Sequence, residues 1–179
     1  MHRLLCTAFT VLFLQVNASL GQNFYDLPIK DVAGNTIELK NYLGKKIMFL
    51  IVPLSSNDSL LMQLDSFLVQ YEGKIQVIGM LSKEEGYTEA QKISVVELYR
   101  NRNLLLTEGM KTRKGPEQAP LMQWLTDRRK NNHFDMDAQG IGHKFFVSET
   151  GRLFAVMPRR VSLTNPMMRR IINSGRTGN

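Results

Sequence analysis

The sequence predicts an α/β domain in which helices flank a central mixed sheet. Three observations predict it. Two continuous apolar runs, at 46–52 and 75–81, suit strands covered on both faces. Between them, apolar residues recur at helical spacing, so strand, helix and strand form a βαβ unit with parallel strands. Further on, apolar segments at 144–147 and 152–157 are joined by a turn containing Gly151, which predicts an antiparallel hairpin. A chain of 179 residues with 43% apolar side chains is large enough for one filled core.

The start reads as a targeting segment. Met1-His2-Arg3 supplies positive charge, residues 4–16 supply an apolar stretch, and Ser19-Leu20-Gly21 supplies small residues where a signal peptidase cuts. Residues 1–21 are therefore expected to be a signal peptide and residues 22–179 a single exported domain, periplasmic or secreted. The apolar stretch is shorter than the roughly 20 residues a bilayer span needs, so the cleaved chain is not expected to cross a membrane. Cys6, inside this leader, is the chain's one cysteine. The mature protein is thus expected to hold no disulphide, no thiolate nucleophile and no cysteine-ligated metal.

Along the mature chain, residues 24–29 alternate loosely and read as a strand. Ala33-Gly34-Asn35 is turn chemistry, and 36–39 resumes as a second strand, so an N-terminal β-hairpin is expected. Asn41-Tyr42-Leu43-Gly44 reads as one helical turn. The first central strand ends at Pro53, which has no N–H for a ladder. Ser55-Ser56-Asn57-Asp58-Ser59 then caps a helix carrying Leu60, Leu64, Phe67, Leu68 and Tyr71. Gly73 stops that helix. Residues 88–101 are weakly helical, with Ile93, Val96, Leu98 and Tyr99 as their apolar contribution. Residues 104–106 form a short apolar patch, and 109–118 a polar loop. Pro120 opens a helix over 120–129, 131–142 is a second loop, and Asn165-Pro166 caps a last helix at 167–172. Met62, Met122, Met167 and Met168 are expected to fill core space, as is Trp124. Summed, this is a thioredoxin-like arrangement with an added N-terminal hairpin.

Three stretches carry a resemblance to a known family. The opening Tyr25-Asp26-Leu27-Pro28-Ile29-Lys30-Asp31, with Lys40-Asn41-Tyr42-Leu43-Gly44-Lys45, resembles peroxiredoxins, exported thiol–disulphide oxidoreductases and glutathione peroxidases alike. Ala119-Pro120-Leu121-Met122-Gln123-Trp124-Leu125 is similar to a helix start of glutathione peroxidases. Lys144-Phe145-Phe146-Val147-Ser148-Glu149-Thr150-Gly151-Arg152-Leu153 resembles the hairpin of that same family. The resemblance implies a peroxidatic Cys or selenocysteine assisted by Gln, Trp and Asn. The matching positions here are Ser56, Glu84, Gly140 and Ile141, so all four roles read as vacant. Serine cannot form the sulfenic intermediate of that cycle.

Other groupings carry other readings. Ser55 or Ser56 with His133 or His143 would suit a hydrolase. His133, Asp135, Asp137 and His143 carry the mixture of imidazole and carboxylate that a divalent first-row metal takes. Formal net charge is +7, without a basic run of the kind that binds nucleic acid. Lys83, Arg159 and Arg160 are candidates for holding an anion such as glutathione. Other cations (Lys111, Arg113, Lys114, 128–130, Arg169 and Arg170) could join a ring around the site. The expected function is an exported relative without thiol peroxidase activity, binding a small-molecule thiol or a protein partner at the former active-site face. The alternatives are a peroxidase of the oxidative-stress response with a non-standard site, and a metal-binding role of the His/Asp loop. No cofactor is expected.

Overall fold

The two apolar runs become β1 (Ile47–Ile51) and β2 (Gln76–Ser82), paired in parallel with Phe49 opposite Ile78. A computed structural model describes residues 22–174, so the expected leader and the tail 175–179 lie outside the described residues. All of β1 is buried, as a strand covered on both faces requires. Between the two strands runs α1 (Ser59–Gln70), whose N-cap is Asp58: its carboxylate accepts from the Leu60 N–H at 2.8 Å. Leu60, Leu61, Leu64 and Phe67 form its buried stripe. Gly73, at φ +69°, turns the chain into β2.

A third strand, β3 (Leu105–Met110), extends the sheet parallel to β2. The sequence shows only a short apolar patch at 104–106, with no strand pattern in Thr107-Glu108-Gly109. Without β3, that edge of β2 would lack hydrogen-bond partners, and pairing there overrides weak local preference. The hairpin is β4 (Lys144–Val147) and β5 (Leu153–Met157), and β4 lies antiparallel to β1. Strand order is β3-β2-β1-β4-β5.

The N-terminal segment departs from the expected hairpin. Phe24–Asp26 is one 3-10 turn, and Leu39–Tyr42 is another. The turn at Asp31 forms, with its carboxylate accepting from Ala33 and Asn35 N–H groups at 2.9 and 2.8 Å. The two arms then meet at one bridge, Lys30 with Thr36. Core anchoring decides this. The 3-10 turn sets Phe24 against Phe49 and Trp124, with centroids 6.0 and 5.0 Å apart, a packing that alternating strand residues would not reach.

Two helices also differ from expectation. After a 3-10 turn at Glu89–Gln91, α2 (Lys92–Tyr99) buries Val95 and Tyr99 and leaves Ile93 85% exposed. The expected helix at 120–129 breaks at Asp127, which is extended. It yields α3 (Pro120–Thr126) and α4 (Arg128–Asn131), with Asp127 capping α4 through the Arg129 N–H. The last helix, α5 (Pro166–Asn173), starts at Asn165 as expected.

The sheet has a core on each face. Phe24, Phe49, Trp124 and Phe145 fill one beneath α3 and the N-terminal segment; Leu64, Phe67, Tyr99, Phe146 and Met168 fill the other beneath α1, α2 and α5. Met122 and Met168 are buried as expected, whereas Met62 and Met167 are exposed. Among the described residues no helix is long and apolar enough to cross a membrane.

Candidate functional site

Strand direction gathers the site. β1, β2, β3 and β5 run one way and β4 the other. The residues after β1, β2, β3 and β5 therefore meet those before β4 at one end of the sheet. This brings Ser56, Lys83, Glu84, Gly140, Ile141, Arg159 and Arg160 to a single face. It lies beside β1, the strand from which the chain turns to β2 on one side while β4 pairs on the other. Open α/β sheets bind ligands at such a point.

At its centre, the Gly142 N–H donates to the Ile51 carbonyl at 2.8 Å and the Ile51 N–H to the His143 carbonyl at 3.1 Å. These bonds hold the loop before β4 against the end of β1. Ser55 and Ser56 are exposed in the loop after β1, and the capping role falls to Asp58.

Glu84 is committed elsewhere. Its carboxylate accepts from the Thr112 N–H at 2.9 Å, the Thr112 hydroxyl at 3.1 Å, the Ser82 hydroxyl at 3.2 Å and the Arg113 N–H at 3.4 Å. Burial alone would raise its pKa, but the hydrogen bonds from Thr112 and Arg113 outweigh that and hold it below the usual carboxylate range. Glu84 clamps the chain after β3.

The residue that sequence reasoning missed is Glu85. Gly140 has φ +93°, and a β-carbon there would stand 2.5 Å from Glu85 Oε1. The carboxylate therefore rests on the bare backbone of Gly140, and Arg113 pairs with it at 3.0 Å. On the far side of half-buried Ile141, a β-carbon at Gly142 would lie 3.3 Å from the Arg159 carbonyl. The Glu85–Arg113 pair thus flanks Ile141 on one side and the Arg159 backbone on the other. Lys83, Arg159 and Arg160 are exposed around it. Gly140→Ala should cost about 2 kcal/mol, from the positive φ and the displaced carboxylate together. Urea unfolding measures it, and a neutral result would mean that Glu85 swings aside freely.

The His/Asp grouping does not converge. His133 packs edge-on against Phe134, with ring centroids 4.4 Å apart, and its backbone N–H is held by the Asn131 side chain. Asp135 pairs with the Lys114 ammonium. Asp137 accepts from the Lys114 and Ala138 N–H groups at 2.9 and 2.8 Å. Lys114 thus engages both carboxylates that the metal reading needed, through contacts across 21 and 23 residues. Among the described residues no three His, Cys, Asp or Glu side chains are grouped to hold a metal.

His143 is buried in the fold. Its Nδ1 accepts from the Gln139 N–H at 2.9 Å, its ring lies 4.5 Å from that of Phe145, and its Nε2 has no partner. Burial first, and then the charge of Lys144, push its pKa down to about 4, with Asp137 opposing. Lys144 is itself fully buried, donating to the carbonyls of Gly142 at 2.5 Å and Val161 at 2.6 Å. Burial lowers its pKa to about 8. A partly open cavity of about 270 Å³, around Lys46, Tyr71, Glu149 and Ile172, lies at the opposite end of the sheet.

No protein-family model and no curated protein matches the sequence. Solved structures do match in shape. Trgpx in its apo form shares 15% identity, over 84% of this chain and 94% of its own, with a TM-score of 0.64. GPX1 of T. cruzi shares 9% identity, over 84% and 95%, with a TM-score of 0.63. A secreted disulfide oxidoreductase of Mycobacterium tuberculosis shares 11% identity, over 83% and 96%, with a TM-score of 0.51. At such identities the likeness is one of fold. This chain has a thioredoxin-like fold in the form seen in glutathione-peroxidase-like proteins.

Proposed function

We propose that this is an exported single-domain protein of glutathione peroxidase type without thiol peroxidase activity, which binds a small anionic molecule or a protein partner at the old active-site face. One observation carries the reading: residues 22–174 contain no cysteine, and the resemblance matches Ser56 to the position of the nucleophile. In a thiol peroxidase the thiolate attacks the O–O bond, the alcohol leaves and the sulphur becomes a sulfenic acid. A serine hydroxyl has no counterpart to that oxidised state.

The exposed cations Lys83, Arg159 and Arg160 on the same face favour an anion, a thiol tripeptide or an acidic protein surface among them. The similarity in fold to a secreted oxidoreductase agrees with export. Sequencing the N-terminus of the secreted form should begin at Gln22.

Peroxide consumption with glutathione or thioredoxin as reductant tests the central claim. The expected result is a wild-type rate equal to buffer and slight turnover by Ser56→Cys. Wild-type turnover well above buffer would sink the reading.

A further inference from the structure

The geometry points to a docking site for an extended acidic polypeptide on the flank formed by α3, α4 and the N-terminal segment. This surface is separate from the face discussed above, and the inference does not rest on that face binding anything. Two adjoining grooves share Lys130. The first, of about 610 Å³, is lined by Lys114, Arg128 and Arg129 as well. The second, of about 180 Å³, adds His133 and Arg152.

Charge supports an anionic occupant. The only carboxylates lining the grooves are Asp127 and Asp135, both in the first. Each is already held: Asp127 by Arg129 at 2.7 Å, Asp135 by Lys114. Among the described residues Arg128, Lys130 and Arg152 have no carboxylate partner. Five Lys and Arg against two carboxylates leave a surplus of three positive charges along one strip. That arrangement favours a chain with several spaced negative charges over a single small anion.

Shape and lining choose among the polyanions. A groove accepts a chain and not a flat bilayer. Phe24, Trp124 and Leu153, each 2% exposed, close the floor of the second groove, so its polar rim meets an occupant. Exposed amides at Gln22 and Asn132 add donors and acceptors for a peptide backbone. A polypeptide with spaced Asp or Glu residues meets the charge surplus, the groove and the amides.

Fluorescence anisotropy with the full chain tests this. The probes are a labelled peptide of repeated Glu-Gly-Leu, the same peptide with Gln for Glu, a heparin oligosaccharide and phosphatidylglycerol vesicles. The expected result is saturable binding of the acidic peptide alone, weakening as salt rises. The double charge reversal Arg128→Glu with Arg152→Glu should weaken it about tenfold or more. Arg169→Glu with Arg170→Glu, exposed on α5 over the other face of the sheet, should weaken it far less. All four side chains are exposed, so the fold survives, and circular dichroism checks that. Equal loss from both reversals would reduce the effect to overall charge and overturn the site. Heparin or vesicle binding without peptide binding would overturn the choice of partner.

Discussion

Replacing Lys46 by Met lowers the stability of the fold by about 3 kcal/mol, and α5 is the element released first. The reason lies in what its ammonium does. Lys46 is 3% exposed, and its Nζ donates to the carbonyls of Ile172 at 2.7 Å, Ile171 at 3.4 Å and Ser174. These are the final carbonyls of α5 and its cap, groups with no partner inside the helix. A cation there also meets the negative end of the helix dipole. Glu149 stands 3.8 Å away and the Phe154 ring 5.6 Å away, so the charge is enclosed by favourable neighbours. Met keeps the aliphatic stem but supplies no donor, and the Ile172 carbonyl then loses the bond Lys46 gives it. Ile171 keeps the Ser174 hydroxyl at 2.7 Å, which limits the loss. Urea unfolding reads the total, and hydrogen exchange reads whether α5 amides lose protection before those of β1. A change under about 1 kcal/mol would mean that water from the adjoining cavity replaces the ammonium.

Acid should remove a further 3 kcal/mol or so through His143 alone. Its folded pKa is depressed from 6.5 to about 4. Above pH 6.5 the imidazole is neutral in both states and contributes nothing to pH dependence. Below it, the unfolded chain takes up a proton that the native site refuses. Stability therefore falls as pH drops from 6.5 to 4, at about 1.4 kcal/mol per unit of difference. The refusal has a structural basis. Nδ1 already accepts the Gln139 N–H, so a proton there breaks the bond that fixes the loop carrying Gly140 and Ile141. Lys144 adds repulsion and Asp137 relieves part of it. Unfolding free energies at pH 7 and 4.5, in wild type and in His143→Gln, separate this from the protonation of carboxylates. If both proteins lose stability equally, the imidazole is not the group responsible.

The site was legible only in part. The loop after β1, which carries Ser56, could be placed because the β1 run and Pro53 fix where that strand ends. Gly140 and Ile141 could be found by counting back from the β4 segment. Glu85 could not, because its partner Gly140 lies 55 residues on, and only the packing of the two loops places them together. The same holds for Lys114, whose ties to Asp135 and Asp137 turned an expected metal grouping into a loop clasp. Glu84 was matched by position, yet its hydrogen bonds to Thr112 and Arg113 set its role.

By itself the sequence determined β1, β2 and the β4–β5 hairpin, the cap at Asn165, the helix start at Pro120, and the lack of any cysteine beyond Cys6. Those depend on local signals: uninterrupted apolar runs, a turn glycine, a capping side chain and composition. Tertiary structure decided the rest. β3 formed because an open strand edge supplies hydrogen bonds that Thr107-Glu108-Gly109 would not seek alone. The N-terminal arm became 3-10 turns because Phe24 is needed in the core, and α3 broke at Asp127 because that carboxylate caps α4. In each case a contact between residues far apart in the chain, or a cap competing with a helix, outweighs a local preference of a few tenths to about 1 kcal/mol.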